Sequence, residues 1–373
     1  MISLKEAVTK SDIKAFVKFP FALYKGSPYW VPPLIADEMD TFDKEKNPAF
    51  KTARMWLFLA YKNDKIVGRV AAIINTLEVA QQNIKKMRFG WCDFIDDYDV
   101  SKALFDKVLE LAKTEQMDHV EGPIGFSNLD KVGVLTEGFE SLGTMVTWYN
   151  HPYYQAHYER LGLEVEKQYV ENTMPTQSAD PAFFVRINEL VKKRYALREV
   201  NVKNKQELLK YVDPMFDLLD LTYAQLASYA PISDEQREYI KNRFLGFVDP
   251  EFIKFVVDKE DKLVAFAVVL PSFAEALQKA KGSLFPFGWY HLLKARKNCT
   301  RAIFYLIGVH PDYQNKGVTA IIFNQYYKTF NKRGITTGIR TPELSDNKAA
   351  RQIWKHVQPT VHKRRCTYRI NIV

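Results

Sequence analysis

The stretch "YLIGVHPDYQNKGVTAIIFNQYY", Tyr305 to Tyr327, passes from an apolar run through a short polar loop with one glycine into a helical repeat. An apolar strand that turns within a few residues into an amphipathic helix marks an α/β architecture. The turn sets the first, unpaired backbone N–H groups of the helix at the mouth of the loop. Their partial positive charge suits a phosphate. Gly317 permits positive φ and lets a ligand reach the backbone with no Cβ in the way. Lys316 adds a cation and Thr319 a hydroxyl.

Working outward, the loop lies inside a pattern that occurs twice. "LFLAYKNDKIVGRVAAII" (Leu57 to Ile74) and "KFVVDKEDKLVAFAVVL" (Lys254 to Leu270) both read as strand, charged turn, strand. At an offset of 197, Lys62 meets Lys259, Asp64 meets Asp261, Lys65 meets Lys262 and Val67 meets Val264. After the first hairpin come "RFGWCDFI", the helix-spaced "SKALFDKVLELAKTEQ" and "HVEGPIG". After the second come "RAIFYLIGV", a helix closed by Gly334 and "ITTGIRT". Each half then ends in a helical segment, "PYYQAHYERLG" or "NKAARQIWKHV", and a last strand such as "RRCTYRINIV". The polar "ENTMPTQSADPAFF" carries two prolines and no periodicity, which puts the boundary near Met174 to Asp180. "AEALQKAKGSLFPFGWYHLLKARKN" has no counterpart in the first half and reads as an inserted lid or arm, or as a surface decoration. The prolines and aromatics of "YKGSPYWVPPLIADEMD" indicate an irregular docked segment.

Composition sets the remaining bounds. The 373 residues, 47% hydrophobic and 26% charged, are enough for two globular units and exclude a chain disordered throughout. The longest apolar run, "LVAFAVVL", is far shorter than a membrane span, and "MISLKEAVTKSD" lacks the apolar core of a signal peptide, so a cytoplasmic protein is expected. Cys92, Cys299 and Cys366 are too scattered for a disulfide framework and read as buried thiols. The seven histidines form no ligand cluster, so no metal is expected. Lys and Arg exceed Asp and Glu by 53 − 44 = 9, a balance that suits an anionic surface or a phosphorylated ligand. The basic run "HKRRCTYR" reads as the exposed face of an edge strand. No nucleic-acid-binding signature accompanies it, and no nucleic-acid partner is expected.

The pattern Gln314-x-x-Gly317-x-Thr319 at a strand-to-helix junction resembles the signature loop of the GCN5-related N-acetyltransferase (GNAT) superfamily, Gln/Arg-x-x-Gly-x-Gly/Ala. The resemblance covers Lys254 to the C-terminus and, through the repeat, Leu57 to Glu171. It implies an α/β (α+β) fold of two fused GNAT-like domains, residues 1–175 and 176–373, each a mixed central sheet flanked by helices. It further implies acetyl-CoA or another acyl-CoA as the acyl donor, held in a wedge where two strands splay apart. Ile307 and Val309 would contact the thioester and pantetheine, and Gln314, Asn315, Lys316, Gly317, Val318, Thr319 and Asn347 complete the cofactor site. The acceptor would be the amine of a small molecule or peptide, attacking directly; a homodimer is compatible with this reading. Glu343 and His310 are candidate bases.

Two departures stand out. The family's Asn, Ala and Tyr series on the helix after the fifth strand reads here as Asn347, Ala350 and Trp354, and indole cannot act as the acid. The first half keeps Tyr158, in a Tyr-Glu-x-x-Gly ending, as a candidate acid. Its own loop, however, holds Asp93, Asp96, Asp97 and Asp99 with no glycine, which would repel a pyrophosphate. Unit by unit, the second half is therefore the expected acyl-CoA binder and the first a degenerate one. Alternatives are an aminoacyl- or peptidyl-transferase like the Fem ligases, without their coiled-coil arm, or a non-catalytic CoA-binding or scaffold protein with a relic site.

Overall fold

The computed structural model describes residues 1–127, 129–177, 181–224, 232–244, 248–347, 353–354, 357 and 359–372. The chain forms two compact units. Unit 1 comprises Met1–Val170, Ala274–Leu292 and His362–Val373; unit 2 comprises Glu171–Phe273 and Leu293–Val361. The single cut at 175 read from the sequence assigns 274–292 and 362–373 to the second half, whereas both segments pack with unit 1.

Unit 1 opens with β1 (Ile2–Glu6), α1 (Lys10–Leu23) and α2 (Ile35–Thr41), then the hairpin of β2 (Ala53–Lys62) and β3 (Lys65–Asn75). Asn63 and Asp64 both have positive φ, the backbone that a tight two-residue hairpin turn demands. The chain continues through α3 (Thr76–Gln82), β4 (Lys86–Phe94), α4 (Tyr98–Thr114), β5 (His119–Gly122), β6 (Val134–Glu137), α5 (Tyr153–Arg160) and β7 (Glu164–Pro175). Strands β1 to β5 lie in sequence order; β1 to β4 pair antiparallel, and β4 pairs parallel with β5. Val100, Leu104, Phe105 and Val108 form the buried stripe of α4, in one core with Val70, Phe89 and Val120 of the sheet.

Unit 2 contains α6 (Pro181–Tyr195), β8 (Arg198–Val200), α7 (Lys205–Tyr223), α8 (Asp234–Phe244), β9 (Ile253–Val257) and β10 (Leu263–Pro271). Two helices, α9 (Ala274–Ala280) and α10 (Gly288–Asn298), precede β11 (Arg301–Val309), α11 (Thr319–Arg333), β12 (Thr337–Arg340), β13 (Glu343–Leu344) and β14 (Thr360–Asn371). The order β8-β9-β10-β11-β12 is antiparallel except for the parallel pair β11–β12. Helices α6 and α11 pack on each other, and Ile321, Ile322 and Tyr326 of α11 are buried in the core of this unit.

Each sheet is completed by a strand from a distant part of the sequence. In unit 1, β14 pairs with β5 (Tyr368↔Gly122) and with β6 (Cys366↔Val134). In unit 2, the 171–175 end of β7 pairs with β12 (Met174↔Gly338). Two expectations change here. The polar "ENTMP" is a strand whose Glu171 and Asn172 are buried, and "HKRRCTYR" is not a solvated edge. Lys363 and Arg365 are buried, with Lys363 Nζ donating to the Leu142 carbonyl at 2.8 Å and Arg365 to that of Gly133 at 3.4 Å. Cys92 and Cys366 are buried free thiols, and Cys299 is half-buried.

Candidate active site

The candidate site is built where β11 leaves β12. Parallel pairing runs from Arg301↔Thr337 to Phe304↔Arg340 and stops, while β11 continues to Val309. On its other edge, β11 bulges against β10: Leu306 faces Val268 and Phe304 faces Val269, so the register skips Tyr305. A bulge bends its strand and raises the local twist, which turns the end of β11 away from β12. Tyr305, Leu306 and Ile307 are accordingly half-exposed in an otherwise buried strand. Thr341 closes the fork, its hydroxyl donating to the carbonyls of Phe304 (3.3 Å) and Tyr305 (3.4 Å).

Beyond β11 a short 3-10 turn, Pro311–Tyr313, leads to the exposed residues 314–317. The Gln314 side chain donates to the Val309 carbonyl at 3.2 Å, pinning the loop to the strand end. Asn315 and Gly317 have φ of 59° and 77°. A Cβ on Gly317 would lie 3.2 Å from Val191 Cγ2 besides straining the backbone. The N-cap of α11 is Val318, which has no side-chain acceptor. Among the described residues, the amides of Asn315, Gly317, Val318 and Thr319 have no hydrogen-bond acceptor. Lys316 lies over the rings of Tyr195 (5.3 Å) and Tyr313 (5.5 Å). Orphan amides, a required glycine and a nearby cation fit a pyrophosphate.

The catalytic candidates are dispersed. Glu343 is ion-paired with the buried Arg340. His310 caps the 3-10 turn, its Nδ1 accepting from the Asp312 amide at 3.3 Å, while its own amide donates to the Val264 carbonyl at 2.8 Å. Both belong to unit 2. Tyr158 belongs to unit 1, fully buried with its ring against Phe105 (5.3 Å) and Tyr368 (5.1 Å). Burial pushes its phenol well above the usual tyrosine range. That environment gives Tyr158 a packing role, and no substrate reaches an acid so enclosed. Asn347 is half-buried, its amide bonded to the Leu344 carbonyl; Ala350 lies outside the described residues. Trp354 is a core residue, with Phe304 and Phe323 each 5.0 Å away and the Arg340 guanidinium 4.5 Å from its ring centre.

One group at the fork escaped sequence reading. The half-buried Tyr223, at the end of α7, has its phenol oxygen accepting from the Ile307 backbone amide and lies close enough to Glu343 to feel its charge. Burial pushes this phenol up to about 12, with the amide acting against that rise and Glu343 adding to it. Helical spacing from Phe216 and Leu219 did mark Tyr223 as inward-facing. Nothing local joins it to a strand more than eighty positions later.

No family model matches the chain. It is 28% identical to the protein YghO of Escherichia coli (strain K12) over 84% of its own length and 80% of that protein's. It is 25% identical to a bacterial ceramide synthase of Caulobacter vibrioides over 99% of its length and 96% of that enzyme's. Among solved structures, a tandem GNAT protein from the clavulanic acid biosynthesis pathway superposes with a TM-score of 0.58 at 9% identity, covering 100% of this chain and 99% of that one. A GCN5-related N-acetyltransferase from Sphaerobacter thermophilus gives 0.53 at 9% identity, with 100% and 96% covered. The splayed strands, the bulge and the uncapped helix thus sit in a chain that has the GCN5-related N-acetyltransferase fold.

Proposed function

We propose that this protein is an acyl-CoA-dependent N-acyltransferase whose donor site lies in unit 2. The observation that carries the reading is the α11 mouth, where, among the described residues, the amides of 315 and 317–319 lack acceptors and no side chain caps the helix. Those amides and Lys316 would hold the pyrophosphate, and the open edge of β11 from Ile307 to Val309 would hold the pantetheine. The bound donor supplies an acyl group already activated as a thioester, with a thiolate that leaves once an amine has added. The chain's own part is orientation and proton handling. The Ile307 amide, which donates to the Tyr223 phenol oxygen, holds that phenol in place at the fork. The Tyr223 phenol, protonated throughout the neutral range, is the acid that Trp354 cannot be. Glu343, held by Arg340, orients the acceptor's ammonium group and receives its proton.

A narrower acceptor class has separate support. Ceramide is a lipid amide, so the ceramide synthase that aligns with 99% of this chain is itself an N-acyltransferase. An amine on a long-chain lipid is the acceptor this likeness favours. The test is release of free CoA thiol from acetyl- and palmitoyl-CoA with a panel of short polar amines and long-chain amino alcohols. Amine-dependent thiol release is expected, and Tyr223→Phe should lower kcat about 100-fold with KM nearly unchanged. Release from neither donor with any amine removes the enzymatic reading, and an unchanged kcat in Tyr223→Phe removes the assignment of the acid.

A further inference from the structure

The segment Leu284–Asn298, unmatched in the first half of the sequence, presents its aromatic residues to solvent. Phe285 is 79% exposed, Phe287 68%, Trp289 47% and Tyr290 51%. Large aromatics this exposed side by side mark an interaction surface. Leu293, one helical turn after Trp289, extends the apolar stripe along α10.

The aromatic tip has a firm base. The Gly282 carbonyl accepts from the Ile35 amide at 2.9 Å, and Gln278 donates to the carbonyls of Pro28 (2.8 Å) and Trp30 (3.0 Å). Gly282 and Gly288 are packed so closely that a Cβ would meet Phe21 at 2.5 Å and the Ser283 carbonyl at 2.0 Å. Trp289 Nε1 donates to the Pro286 carbonyl at 3.0 Å, fixing the indole at the start of α10.

Charge identifies what this surface meets. Between Glu275 and Asp312 the sequence has no acidic residue, and within it Lys279, Lys281, Lys294, Arg296, Lys297 and Arg301 supply six cations. Among the described residues, none of the six has a carboxylate partner. Aromatic side chains beside unpaired Lys and Arg match the two layers of a membrane interface, the acyl boundary and the anionic headgroups. A protein partner's apolar face would satisfy the rings and leave the cations unmatched. Among the described residues no helix is long and apolar enough to cross a membrane, and α10 has 11 residues. It can lie on a bilayer and cannot span one.

We propose that Phe285–Lys297 is an interfacial anchor that docks the protein on anionic lipid bilayers, with Phe285, Phe287 and Trp289 inserting and Lys294, Arg296 and Lys297 contacting headgroups. The test is co-sedimentation of the full chain, without acyl-CoA, with vesicles of phosphatidylcholine alone or with 30% phosphatidylglycerol. Binding to the anionic vesicles is expected, weakening with added salt. Phe285→Ser/Phe287→Ser/Trp289→Ser and, separately, Lys294→Glu/Arg296→Glu/Lys297→Glu should each reduce partitioning at least about tenfold. Far-UV circular dichroism confirms that both variants are folded. Absence of binding at low salt, or binding that neither variant weakens, overturns the proposal. So does a dimer seen by light scattering that the aromatic variant dissociates, because a second copy would then cover the face. None of these readings depends on catalysis, so the anchor and the acyltransferase assignment stand or fall separately.

Discussion

At the start of α4, Asp97 turns its carboxylate back to accept from the Asp99 amide at 3.0 Å. At the start of α11, Val318 offers no such acceptor. The strands feeding these two helices are otherwise alike. Both β4 and β11 are bulged on one edge, and both end their parallel pairing early, at Arg88↔Glu121 and Phe304↔Arg340. In unit 1 the opening is filled from within. The Ile124 amide donates to the Phe89 carbonyl at 2.8 Å, Trp91 packs on Phe126 and Trp148, and every residue of β4 is buried. In unit 2 the corresponding stretch, Tyr305 to Ile307, is half-exposed. On the proposed reading the fold alone does not make a donor site; the assignment to unit 2 rests on its uncapped helix and half-exposed strand.

The four aspartates of the first half sharpen this contrast, because three of them have a specific side-chain partner. Asp93 is buried on β4 with Arg69 (2.7 Å) and the Tyr24 hydroxyl (2.7 Å), outside the loop proper. Asp96 faces His157 at 2.9 Å, Asp97 pairs with Lys62 at 2.7 Å, and Asp99 lies in the first turn of α4. Expected as mere repulsion toward a phosphate, these carboxylates also supply the internal replacements for one.

The largest effect is expected from removing His362–Val373. This deletes β14 and with it the fully buried Tyr368, whose loss alone would cost roughly 3–5 kcal/mol. Unit 1 should lose its cooperative thermal transition, read by circular dichroism and by hydrogen exchange at β5. An unaltered melt would mean that unit 1 does not need its distant strand. The smallest effect comes from Asp97→Ala, which should lower stability by about 1 kcal/mol through loss of the cap. Calorimetry should still find one acetyl-CoA per chain in that variant, since the fork of unit 1 remains filled. A second equivalent would break the comparison.

Much of this was legible locally. The hairpins, the strand Arg301–Val309, the following helix and its Gly334 stop are written in short-range periodicity and turn chemistry. The exposed glycine loop was legible for the same reason. The exchanged strands were not, because β14 and the end of β7 find their partners far along the chain and carry polar residues that read as linker or edge. Glu171, Lys363 and Arg365 are buried against contacts no local window contains. Tyr223 was hidden likewise, since its role depends on a backbone amide of another element. The segment "FPFGWYHLL", read as part of a lid, an arm or a surface decoration, carries exposed rings whose exposure no local window reveals.

The most direct test is calorimetric titration of the wild type and Gly317→Asp with acetyl-CoA. Aspartate at this positive-φ position strains the backbone by roughly 1–2 kcal/mol and sets a negative charge among the free amides. We predict one equivalent bound by the wild type and an affinity about 100-fold lower in the variant, close to 3 kcal/mol. Equal affinity in the two proteins would contradict the assignment of the α11 mouth as the donor site.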